Sequence, residues 1–454
     1  MKVTALFERG LKILIVPDRG HGQADVAEPE EIMQTDTDVI IIGAGVAGLA
    51  AAKTLISAGI PCVVIEASHR IGGRAYAEQF ADGSWFDLGC SYLHEAELNP
   101  FVQIAAEHGF AVGDGTRFKT ENIHLHESGN SGAGPAGYQA YIEACETGMS
   151  AIVRDLAFSG DRDMASAMEW DSPYAPVYSH LMAGLNGSDV TEQSVEDFLK
   201  SGFGLDVPVS QSLGRLVAHW GAAVPVTLNC AVSAIDWNQG HVAVSTACGR
   251  ITARRAIVTV STNILAAGLI RFAPNLPDEM MAAIAHLPCG TLNKIGLCLA
   301  PNSFADDQAG WHVAWPAKAA DTDPEDIASF DINIDGKQQA IIFAGGSFGI
   351  HLEKQGPGAM RDYAEKCLAA VFGNSITCRI TDVITTAWHD EPLTLGAYSH
   401  AKPGHSAERE HLCEVVADTV FFAGEAASVS HYGTCHGAYI SGQQTARRLV
   451  ESLA

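Results

Sequence analysis

The chain has 454 residues, more than one compact domain usually holds, and 47% of them are apolar, too many for a disordered protein and enough for two domains sharing an interface. Lys and Arg total 28 against 53 Asp and Glu, a net charge of −25. A surface that acidic repels nucleic-acid phosphates and anionic lipid, which excludes both as partners and leaves a small, cationic ligand compatible.

The first residues, MKVTALFERGLKILIV, carry charge throughout, and the apolar run from Ile13 to Val16 is too short for a secretory segment. No uncharged stretch reaches the length of a membrane span. The eleven cysteines are odd in number, form no C-x-x-C pair, and in several cases sit inside apolar runs, as buried free thiols of a reducing compartment do. The expected location is the cytoplasm. Residues 1–36 read as an extension without helical or strand period: an added strand, a partner-binding arm or a tail.

At Asp38 the character changes. DVIIIG is a β-branched run, as in a strand buried on both faces of a parallel sheet. GAGVAGLAAAKTLISAG follows as a small-residue helix with Leu49, Ala52 and Leu55 on one face, and PCVVIEA as a second buried strand. Together they make a βαβ unit. Residues 115–207 are looser, with Gly, Ser and Pro marking loops among helices. From Leu213 the sheet pattern returns: the run PVTLNCAVSAIDWNQGHVAVSTACGRITARRAIVTV predicts several strands with turns at NQG and CGR, and 291–300 and 340–348 predict further strands. FFAGEA, a loop and a helix close the chain. The fold class is α/β, α+β overall: a Rossmann-like dinucleotide-binding domain with an interleaved substrate domain of mixed sheet plus helices. The expected division gives 37–114, 208–288 and 390–454 to the first domain and 115–207 and 289–389 to the second.

Gly43, Gly45 and Gly48 form G-x-G-x-x-G at the first strand-to-helix turn. Gly43 permits the tight turn, Gly45 lets a pyrophosphate approach the backbone, and Gly48 lets helix and strand pack closely. Val46 and Ala47 open the helix, whose unpaired N–H groups and positive dipole end suit phosphate. Glu66 ends the next strand 18 residues after Gly48, where a ribose-binding carboxylate belongs.

The string Glu66-Ala67-Ser68-His69-Arg70-Ile71-Gly72-Gly73-Arg74 resembles the second glycine motif of the flavin-containing amine oxidase family, although Ser68 stands where the family often has Arg. The resemblance implies noncovalent FAD, with Gly73 and Arg74 at its pyrophosphate. It extends to the segment from Phe86 to His94 with Asn99-Pro100, which is similar to polyamine oxidases and places Gly89, Cys90 and Ser91 at the cofactor. It implies a backbone contact to adenine at Val232, a flavin-side lysine at Lys294, and aromatics beside the flavin ring at Trp388 and Tyr398. Gly424, Glu425 and Thr434 fall in the C-terminal flavin segments. Thr434 replaces the second tyrosine of monoamine oxidases, and Ala397 replaces their flavin-linking cysteine.

By the same resemblance, Lys294 holds a water near flavin N5, which partial burial would suit, and His94 stands near the substrate amine. A lysine in apolar company otherwise reaches to the surface, and His94 is otherwise an ordinary satisfied histidine. The implied reaction is hydride transfer from the carbon beside nitrogen to N5, giving an imine that hydrolyses, with dioxygen reduced to hydrogen peroxide. Alternatives on this fold are an L-amino-acid oxidase, another desaturase, or a low-turnover binding protein. No metal site is expected, because His124/His126 and His400/His405/His411 lack ligand spacing. The oligomeric state is open, a homodimer being one option.

Overall fold

A computed structural model describes residues 36–115, 123–128, 134–202, 204–238, 240–316 and 322–453; the expected extension lies outside these, Asp36 excepted. The central strand, β1 (Asp36–Ile42), runs parallel to β2 (Cys62–Ile65) on one side and to the strand Gly249–Val258 on the other. Successive side chains of a strand point to opposite faces. Val39 and Ile41 therefore enter one core with Leu49 and Leu55, and Ile40 and Ile42 enter a second with Ile235, Val244, Ile264 and Leu412. Covering of both faces explains why β1 reads as an unbroken β-branched run.

The sheet has eight strands. Val226–Thr227 extends it beyond β2, and Val420–Phe422 pairs parallel with Gly249–Val258. Val232–Asn238 and His241–Thr246 add antiparallel neighbours, and Arg271–Ala273 forms the far edge. The expected helix is α1 (Val46–Ser57), and it packs against the last helix, Cys435–Leu453. A Cβ on Gly442 would lie 2.1 Å from the Ala47 carbonyl oxygen, so the bare glycine sets how closely the two helices meet.

A second sheet of six strands takes its order as Ile380–Thr385, Leu292–Leu299, Gln339–Gly345, Ala328–Ile332, Gly310–Pro316 and Ile123–Ser128. Its pairs are antiparallel except the last, which is parallel. The helix Pro357–Phe372 buries Tyr363, Ala364 and Leu368 against Ile295, Leu297 and Phe330 of this sheet.

Two sequence expectations need correction. The strand read at 340–348 ends at Gly345, because Gly346 has φ +58° and starts the helix Gly346–Gln355. The region 115–207, read as loops among helices, also contributes a strand. It contains the helices Gly134–Arg154, Ala175–Asn186 and Val195–Lys200, and Ile123–Ser128 joins the second sheet. Tyr138, Tyr141, Tyr178 and Trp315 form the core there, spaced too widely for a short-window pattern to register. Among the described residues, no helix is long and apolar enough to cross a membrane.

Candidate active site

The glycine turn is dictated by contact. Gly43 has φ +102°, and a Cβ on Gly48 would fall 2.0 Å from the Gly43 carbonyl oxygen, so helix and strand close only without it. Gly45 differs: a Cβ there would meet nothing within 4 Å. Gly45 is the N-cap of α1 and supplies no side-chain cap, which leaves the first-turn amides of Val46 and Ala47 to an outside acceptor. A Cβ on Gly73, which has φ +57°, would lie 3.2 Å from the Gly45 Cα, and Gly72 bridges to Gly45. Glu66 accepts from the Ala44 and Ser68 amides, and the Cys230 amide donates to its carbonyl, which places Ala67 and the approach to Val232 beside the same turn.

Arg74 closes the cleft. Its Nη1 donates to Glu425 Oε1 and to the Ala397 carbonyl, both at 2.8 Å, and its side chain keeps 25% of its surface exposed. Glu425 also accepts from the Ser399 hydroxyl at 2.7 Å and the Gly433 amide at 2.9 Å. Burial opposes its ionisation, but the Arg74 charge and the Ser399 bond outweigh burial and hold the carboxyl below its ordinary pKa. Behind Ser399 stands Arg409, fully buried, bonded through Nε and Nη2 to both oxygens of the equally buried Asp197 at 2.6 and 2.8 Å. Its Nη1 donates to the Ser399 hydroxyl and the Ala426 carbonyl, and its guanidinium lies 3.7 Å from the Tyr432 ring centre. Asp197, Arg409, Glu425 and Arg74 thus alternate in charge from the core to the cleft, which Thr259, Gly424 and Glu425 also line.

Lys294 lies on the strand Leu292–Leu299 and is 6% exposed. Alternation sends Ile295 and Leu297 into the second sheet's core and puts Lys294 on the face of Gly296 and Cys298, which meet Phe86. Its ammonium donates to the Gly89 carbonyl and the Ser91 hydroxyl at 2.5 Å and to the Asp87 carbonyl at 3.3 Å. The surface-reaching alternative is therefore corrected: those three oxygens hold the charge inside. A Cβ on Gly89 would sit 1.7 Å from the Arg74 carbonyl oxygen and 3.5 Å from the Trp388 ring. Trp388 Nε1 donates to the Leu88 carbonyl, and the Cys90 amide to the Arg74 carbonyl.

Tyr398 packs between Gly187 and Gly433 and donates its hydroxyl to the Leu185 carbonyl. Burial pushes its phenol up, so it remains a donor. Thr434 caps the last helix, its hydroxyl accepting from the Gly437 amide. His94 is 44% exposed and pairs through Nδ1 with Asp206 at 2.9 Å. That bond, rather than one to Lys294 or Tyr398, is what fixes its ring.

The family model for flavin containing amine oxidoreductase matches residues 46–224 and 155–450. The chain belongs to this family. Probable polyamine oxidase 4 of Arabidopsis thaliana is 26% identical over 91% of this chain and 87% of that protein. The Lysine-specific histone demethylase 1 homolog 2 of the same plant is 25% identical over 93% of this chain, which spans 59% of that relative's length. Among solved structures, putrescine oxidase bound to putrescine superposes with a TM-score of 0.75 at 19% identity, over 92% of this chain and 100% of that one. Cyclohexylamine oxidase from Brevibacterium oxydans IH-35A does so with 0.71 at 20%, over the same shares. These two likenesses establish the α/β fold with its large mixed sheet.

This flavin amine oxidoreductase uses FAD, and the residues present fit it. The uncapped start of α1, the open face of Gly45 and the free edge of the Arg74 guanidinium all meet a phosphate's needs. Sequence reasoning missed Asp197, Asp206, Ser399, Arg409 and Tyr432. Arg409 sits in EREHL, which reads as a solvated helix turn, and its partner is 212 residues away. No local pattern reports such a pair.

Proposed function

We propose that this FAD protein oxidises an amine at the carbon beside nitrogen, giving an imine that hydrolyses to a carbonyl compound and an amine, with dioxygen as acceptor and hydrogen peroxide as product. Bound FAD supplies the acceptor for the hydride. The chain's residues do the rest. Lys294 holds its charge in a dry cage of carbonyl and hydroxyl oxygens, suited to keeping a water or a proton in place. Trp388 and Tyr398 offer apolar ring surface for a neutral amine. His94 with Asp206 offers an acceptor for an ammonium on its way in, and the net charge of −25 favours that ion's approach.

The observation that carries this reading is the buried Lys294 ammonium at the Gly89 carbonyl, in the segment that also contacts Arg74 and Trp388. Relatives named for polyamines and putrescine support amine rather than amino-acid oxidation. We take the FAD to be noncovalent. Ala397 has no nucleophile, and Cys435, buried beside Cys90, has its thiol pushed well above the ordinary range, away from the reactive thiolate. Eleven free thiols suit a reducing compartment, and we place the protein in the cytoplasm. Peroxide release on a panel of monoamines, polyamines and L-amino acids tests the reading. Turnover of amines alone supports it, and turnover confined to amino acids overturns it.

A further inference from the structure

Away from the glycine turn, three imidazoles converge on one carboxylate. The helix Asp278–His286 ends with His286, a loop brings His405, and the short helix Glu408–Leu412 carries Glu408 and His411. His286 Nδ1 lies 3.6 Å and His405 Nδ1 3.5 Å from Glu408 Oε1, and His411 Nδ1 lies 2.9 Å from Oε2. The backbone builds the arrangement: the Lys402 amide donates to the His286 carbonyl, the His405 amide to Lys402, and the Glu408 amide to His405. Leu412 packs in one core with Ile284 and Leu287, fixing the two helices together.

We propose that His286, His405 and Glu408 form a binding site for a divalent transition cation, zinc(II) being the ion that two imidazoles, one carboxylate and a water in the fourth position suit best. None of the three lines the flavin cleft. The distances argue for a shared ion. Nitrogen-to-oxygen hydrogen bonds prefer about 2.7–3.2 Å. Two donors each about 2.0–2.2 Å from a tetrahedral zinc stand about 3.3–3.6 Å apart, and the His286 and His405 separations match that edge. His286 Nδ1 is buried without a hydrogen-bond partner. The His286 and His405 rings stack with centres 3.5 Å apart at 18°. Two imidazolium cations so stacked would repel; two neutral ligands on one dication would not. The spacing H-x-x-E-x-x-H from 405 to 411 carries no metal signature without His286, which comes from 119 residues earlier.

The test uses tag-free, flavin-loaded protein, stripped with a chelator and titrated with zinc chloride in a calorimeter. The expected result is one equivalent bound per chain, weakened at least about tenfold in His286→Ala and His405→Ala while the visible flavin band is unchanged. Should an alanine variant fail to fold, Glu408→Gln, which preserves side-chain shape, is read the same way. Absence of saturable one-to-one binding, or equal affinity in the variants and the parent, overturns the proposal.

Discussion

Lys294 separates chemistry from cofactor binding. Its ammonium touches the carbonyls of Asp87 and Gly89 and the Ser91 hydroxyl. Lys294→Met should therefore retain FAD while slowing flavin reduction by amine at least about 10²-fold, the lower range for a positioned proton-transfer group. Stopped-flow reduction measures this, and an unchanged rate would remove Lys294 from the mechanism. Arg409 is the converse. Replacing it with Met leaves the Asp197 carboxylate buried without its counter-charge, at a cost of about 3–5 kcal/mol, and frees Ser399 and with it Glu425. Chemical denaturation should show the loss, and FAD titration should show a weaker complex. Lys294 was legible because the resemblance to the flavin-containing amine oxidase family implies a flavin-side lysine there. Arg409 was not, because what defines it is a fully buried partner in another helix.

At the level of elements, the two glycines of the first turn should behave oppositely. Gly45 has φ −68° and open space where a Cβ would stand, so Gly45→Ala should fold with little change in the melting temperature of the FAD-free protein and bind FAD more weakly. Gly48→Ala puts a methyl 2.0 Å from a backbone oxygen that has nowhere to move, and should fail to assemble the turn at all. Calorimetry of both FAD-free proteins separates the cases; equal behaviour would contradict the division of labour. Here the sequence was informative, since β1, the turn, α1 and Glu66 succeed one another within 31 residues, from Asp36 to Glu66. The approach of the last helix to α1 through Gly442 was hidden, because a glycine inside a helical pattern reads locally as a weakness, and its use lies in a contact with a residue almost 400 positions earlier.

Across the whole molecule, burial has neutralised histidines far from one another. His180, His312 and His400 are each pushed down to about 4 by burial. Unfolding restores values near 6.5, so between about pH 6.5 and 4 the unfolded chain binds more protons than the folded one. Stability should then fall as pH falls through that window. The Glu425 carboxyl, held below its usual 4.5, adds to the loss only below that value. Melting temperature against pH is the check, and a flat profile from 6.5 to 5 would mean that the histidines are solvated in solution. Strand order across the two sheets, and with it the meeting of Lys294 with Gly89, depends on pairings between distant segments such as Ile40 with Ala256 and Lys294 with Phe343. Periodicity reveals that strands exist, but the choice of neighbour is made by long-range packing.

The central claim is that a FAD held at the glycine turn accepts a hydride from an amine, and the visible spectrum of the purified protein tests it most directly. The protein should be yellow, release its flavin into the supernatant on denaturation, and lose its oxidised flavin band when mixed without oxygen with at least one monoamine or polyamine, the band returning when air is admitted. A colourless protein, or a yellow one whose band no amine diminishes, would contradict the account.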